Sequence, residues 1–116
     1  MTQWATENYT DERGQAPVDE YVAAQPPRDI ARILRTVGLL EANGPLLKMP
    51  HAQHLRGKIR ELRIDSRPLS HRVLYAALSG GRFLLLHAFK KKSQKTPARE
   101  IETAERRLKD YRERHP

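Results

Sequence analysis

The chain has 116 residues, no cysteine and a formal charge of +8. That length suits one domain, spanning 1–116, with a core large enough to hold without covalent staples. The missing cysteines exclude disulfides and thiolate metal centres and fit a reducing compartment. No apolar run approaches the roughly 20 residues of a membrane-spanning helix. The opening MTQWATENYTDERG is too polar for a secretory signal, so a cytoplasmic location without membrane partners is expected.

The charge is unevenly spread. Residues 1–50 carry 5 basic and 7 acidic side chains, whereas residues 51–116 carry 17 and 7. Between residues 55 and 95 there are 11 Lys and Arg against only Glu61 and Asp65. An ordinary solvated face mixes both signs, so a field this one-sided points to a polyanionic partner.

In chain order, the first ten residues, with Trp4 and Tyr9, suggest a weak edge strand. Pro17 suits the first position of a short helix carrying Val18, Tyr21 and Val22, which Pro26-Pro27 terminates. Ile30, Ile33, Leu34, Val37 and Leu40 recur at helical spacing, predicting a helix from Arg28 to Asn43 that Gly44-Pro45 closes. Residues 45–57 read as a loop. Three strands are then expected, at Lys58–Asp65, His71–Leu78 and Arg82–Lys90, joined by turns at Ser66-Arg67-Pro68 and Ser79-Gly80-Gly81. The run Phe83-Leu84-Leu85-Leu86 does not alternate, as in a strand covered on both faces. Thr96-Pro97 looks like a helix cap, and Ile101, Ala104, Leu108 and Tyr111 mark one face of a helix over Pro97–Arg114. The expected fold is α+β: an antiparallel sheet of three to four strands, two N-terminal helices and a C-terminal helix, with the helices on one face.

Few chemistries suit these residues. The basic segment holds two carboxylates, too few for an oxygen-ligand metal site, and His51 and His54 lack a nearby third ligand. No G-x-S-x-G nucleophile elbow is present. Arginine, lysine and histidine on a sheet can, however, cleave RNA without metal or cofactor, because the ribose 2′-hydroxyl is the nucleophile. The protein must orient the phosphate, stabilise its developing charge and move two protons. Arg63 lies on the polar side of its strand and Arg72 in a middle strand, where a guanidinium needs an anion or water. Lys90-Lys91-Lys92-Ser93-Gln94-Lys95 precedes a helix start. His87 can serve as an acid or base, or as a buried, hydrogen-bonded histidine. Arg56, Lys58, Arg60, Lys90 and His71 are further candidates for RNA binding. Salt bridging of Arg63 to Glu61 or Asp65, and simple solvation of the lysine run, are the plainer alternatives.

The segments LRGKIRELRI (55–64), HRVLY (71–75) and LLLHAFKKKSQKTPAREIETAERRLKDY (84–111), with APVDEY (16–21) before them, resemble the phage-derived HigB-like branch of the RelE superfamily of toxins. Order and spacing carry the likeness, over residues 4–112. The resemblance implies a RelE-like sheet with two N-terminal helices and one C-terminal helix. It implies ribosome-dependent cleavage of messenger RNA, and a cognate antitoxin, usually a helix-turn-helix protein. It carries a catalytic role to Arg63, Arg72, Lys91, Lys92 and Lys95. His71 replaces the family's tyrosine before the arginine. Pro97 stands near where some relatives place a base-stacking tyrosine, leaving Phe89, Tyr75 or His71 as substitutes. The rival readings are a ParE-type toxin that binds gyrase and an RNA-binding module that does not cut.

Overall fold

The computed structural model describes residues 4–116. Its elements run β1 (Ala5–Asn8), α1 (Pro17–Ala23), α2 (Pro27–Asn43), β2 (Ala52–Arg56), β3 (Ile59–Asp65), β4 (Ser70–Leu78), β5 (Arg82–Lys90) and α3 (Ala98–Arg114). The fold is α+β, and the strands form one sheet ordered β1-β5-β4-β3-β2.

The sheet is larger than the three to four strands expected, and it is mixed. Strands β2 to β5 form an antiparallel meander through short turns, while β1 lies parallel to β5, Ala5 opposite Arg82. The additional strand, β2, falls in the segment read as a loop. Of its residues only Ala52 is buried, so AQHLR carries no apolar alternation that would have marked it.

Helices cover both faces of the sheet, contrary to the one-sided arrangement expected. Helices α1 and α2 bring Val18, Ile33 and Leu40 onto Leu62, Ile64, Val73, Tyr75 and Leu85. Helix α3 brings Ile101, Ala104 and Leu108 onto Ile59, Leu74, Ala76, Leu84 and Leu86. The two-sided burial follows from β4, in which every residue from His71 to Ala76 is buried. It also explains why Phe83-Leu84-Leu85-Leu86 fails to alternate in polarity. A bulge between Leu74 and Tyr75 shifts the register against β5, so Leu74 faces His87 and Tyr75 faces Leu85.

The N-terminus is tied down by Trp4, whose amide donates to the Glu41 carbonyl and whose ring packs on Phe83. Its indole lies against Gly44, at φ 59°, where any Cβ would collide with it.

Candidate functional site

On the face that carries α3, the C-terminal half of β3 places Glu61, Arg63 and Asp65 side by side at two-residue spacing. Antiparallel pairing sets Arg72 of β4 directly opposite Arg63. Two like charges directly opposite each other on one sheet face repel, so this pairing demands anions nearby. The protein supplies them. Arg72, only 2% exposed, donates from Nη1 to Asp65 Oδ1 at 2.9 Å and to the His71 carbonyl at 2.9 Å, with Nε 3.8 Å from Glu61 Oε1. The expected anion for Arg72 is therefore already met within the fold.

Glu61, equally buried, accepts from Gln53 Nε2 and from Thr96 Oγ1, both at 2.6 Å. Thr96 accordingly does not cap α3, as its sequence position suggested; Pro97 takes the cap position without a side-chain bond. The Thr96 hydroxyl instead fastens the end of the lysine run to β3 and sets Lys95 beside the arginines. Arg63 is held more loosely: Nη2 lies 3.7 Å from Asp65 Oδ2, Nη1 contacts Met49 Sδ at 3.3 Å, and the buried Nε has no partner.

These groups border a cleft of about 580 Å³ lined by Gln53, Glu61, Arg63, Arg72, Lys95 and Thr96, among others. Three of the six expected catalytic residues, Arg63, Arg72 and Lys95, thus meet in one place. A second cleft, of about 540 Å³, holds Lys90, Lys92, Arg99, Tyr21 and Phe89, and Pro97 is a wall of both. Lys91 lines neither; its amide continues the sheet by donating to the Ser70 carbonyl.

The other expected residues stand elsewhere. His71, expected to bind RNA, is wholly buried on the α2 side: Nε2 lies 2.7 Å from Asp29 Oδ2 and Nδ1 2.6 Å from Tyr21 Oη. Burial, aided by Asp29, pushes the Tyr21 phenol up to about 12, so it donates to Nδ1 and leaves the Nε2 proton for Asp29. With no exposed atom, His71 has nothing to offer a ligand, and its role is to pin α1 and α2 to β4. Tyr75, 1% exposed, is likewise unable to stack on a base, which leaves Phe89, half-buried in the second cleft. Arg60 turns to the α2 side, next to the Tyr75 hydroxyl. Arg56 makes a two-point ion pair with Glu105, and Lys58 sits in the β2–β3 turn, bordering a separate cleft beside α3.

His87 is held at both nitrogens. Arg107 Nη1 donates to Nδ1 at 3.2 Å, which leaves the Nε2 proton for Glu100 Oε1 at 2.7 Å. Burial, with Arg107 and Arg106 nearby, lowers its pKa against the pull of Glu100. The unfolded chain therefore binds a proton here that the native protein resists. Stability is expected to fall as pH drops through about 6.5, the ordinary histidine value, and to level off below the lowered native value. Chemical denaturation of wild type and His87→Gln across that window is the check, the variant giving the flatter profile.

Sequence reasoning passed over Glu61, Gln53 and Thr96 as parts of the site. Glu61 was legible as the neighbour of Arg63 on one strand face. Gln53 was not, because its strand left no pattern. Among the described residues no group of three or more His, Asp or Glu is placed to hold a metal ion.

Sheet and cleft together define a small α+β domain with a cationic pocket built on its middle strands. Residues 20–109 match the family model described as phage-derived protein Gp49-like (DUF891), and the chain belongs to that family. The family is generally associated with RelE-like toxins. The matched stretch contains every residue of the cleft. No curated protein matches the chain. Among the described residues no helix is long and apolar enough to cross a membrane.

Proposed function

We propose that the chain is the toxin of a toxin–antitoxin pair and a metal-independent endoribonuclease that cuts messenger RNA on the ribosome. The observation that carries this reading is the convergence of Arg63, Arg72 and Lys95 on one cleft, with Glu61 and Asp65 fixing the guanidinium groups. In the reaction the 2′-hydroxyl gives up its proton to water as it attacks the adjacent phosphorus. The bond to the 5′-oxygen breaks, and that oxygen takes a proton from the Lys95 ammonium, so that a 2′,3′-cyclic phosphate and a 5′-hydroxyl result. Arg63 grips the phosphate, and Arg72, immobilised before substrate arrives, stabilises the charge that develops on it. Lys95, the member of the lysine run that lines this cleft, supplies an ammonium group near the leaving oxygen, while Lys91 and Lys92 add positive charge from outside it. Phe89 offers an aromatic face for a neighbouring base. The ribosome orients the message, which a shallow cleft on so small a domain does poorly alone. The partner that silences the protein is an antitoxin with an acidic segment complementary to the basic surface.

The test is induction in cells, with growth and transcript 5′ ends followed together. Growth should stop, and translated messages should be cut while a message lacking its start codon stays whole. Arrest with intact transcripts would exclude cleavage and favour the gyrase-binding alternative.

A further inference from the structure

The basic residues of the N-terminal half are few but concentrated. Of the five in residues 1–50, Arg28, Arg32 and Arg35 stand at i, i+4 and i+7, on one face of α2. Like charges at this spacing repel. Among the described residues no carboxylate lies within ion-pair distance of Arg32 or Arg35. Arg32 and Arg35 line a cleft of about 380 Å³ together with His51, Arg63 and Asp65. That cleft holds three guanidinium groups and one carboxylate, and the carboxylate is already engaged by Arg72 at 2.9 Å.

Arg63 borders both this cleft and the one that contains Arg72 and Lys95. The cations therefore follow one another from cleft to cleft: Lys95 and Arg63, with Arg72 buried beside them, then Arg35 and Arg32. We infer that the α2 cleft is a second phosphate-binding site, which holds the backbone of the same RNA strand a nucleotide or more away from the phosphate gripped by Arg63. The inference rests on the reading of the first cleft as an RNA site. An extended polyanion fits better than a folded acidic protein surface here, because the α2 cleft presents guanidinium forks suited to phosphate oxygens and shares Arg63 with the first cleft.

The experiment uses the full chain and a non-cleavable 2′-O-methyl RNA oligomer, with affinity measured by fluorescence anisotropy over a range of salt. Each phosphate contact on a single strand contributes about 0.7 to the slope of log affinity against log salt, so Arg32→Gln/Arg35→Gln should flatten the slope by about 1.4. A control pair, Lys109→Gln/Arg112→Gln, removes the same charge from the separate cleft between α3 and the β2–β3 turn and should leave the slope near that of wild type. A 2′-O-methyl dinucleotide, too short to occupy both clefts, should bind wild type and the α2 variant alike. An unchanged slope, or an equal change in the control pair, overturns the inference. So does a variant that keeps the wild-type RNA slope but loses an acidic antitoxin, which would make this face a protein-docking surface. The nuclease reading fails separately, by absence of ribosomal cleavage in the wild type, and that result leaves the salt-slope result standing.

Discussion

Replacing Arg72 with alanine is expected to lower stability by about 3–5 kcal/mol, the usual cost of breaking a buried ion pair from one side. The guanidinium is 2% exposed and sits between Glu61, equally buried, and Asp65. Removing it leaves the Glu61 carboxylate with only Gln53 and Thr96 as donors and takes away its ion-pair partner. Toxicity should vanish as well, but this variant alone does not separate lost chemistry from lost fold. The combination Arg72→Met/Glu61→Gln does, because it removes both charges while keeping side-chain volume. It should recover a large part of the stability and none of the toxicity. Chemical denaturation of the wild type, both single variants and the double variant forms a cycle whose coupling term reports the pair. An Arg72→Ala protein within about 0.5 kcal/mol of wild type, the range of an ordinary surface substitution, would contradict the ion-pair account.

Arg63→Ala should give the opposite balance. Its side chain is 21% exposed, its ion pair with Asp65 is long at 3.7 Å, and its buried Nε has no partner. A loose, partly solvated pair of this kind contributes about 0.2–1 kcal/mol to stability. A preorganised donor aimed at developing phosphate charge is worth about 10²–10³ in rate. Arg63→Ala should therefore remain folded and antitoxin-binding while RNA cleavage falls by that factor. Arg63→Lys should restore little, because a point charge does not reproduce a two-pronged fork. Lys95→Ala, at an exposed position on the loop, should follow the same pattern with even less effect on unfolding. Cleavage at the wild-type rate by a folded Arg63→Ala protein would remove this residue from the site.

The contrast between these two arginines shows where the sequence was informative. Their strands were legible, because LRI and RVLYAA carry the apolar spacing of β structure, and the two-residue alternation put Glu61 and Arg63 on one face. That Arg72 stands directly across from Arg63 depends on the register of two strands joined through Pro68, which spacing alone does not fix. The anions that hold Arg72 were both visible in the sequence; that they face it was not. His71 misled for a related reason. Histidine among basic residues reads as a ligand-binding group, and only the packing of α1 and α2 brings Tyr21 and Asp29 onto its two nitrogens, from 50 and 42 residues away in sequence. The lysine run was conspicuous, yet which of its members reaches the cleft is decided by one hydroxyl, that of Thr96, bonding to Glu61. The α2 arginines were obscured by composition, since the half of the chain that contains them is net acidic.

As proposed, the cleft cuts messenger RNA only when the ribosome presents it. The direct measurement combines purified ribosomes, a defined message and the purified chain, with a chelator present in one arm and the 3′ ends of the products identified chemically. The account predicts cleavage of ribosome-bound message, products ending in 2′,3′-cyclic phosphate, little cutting of naked message, and the same rate of cleavage once chelator is added to the assembled complexes. Message that stays intact on the ribosome, or naked RNA cut as fast as ribosome-bound RNA, would contradict it.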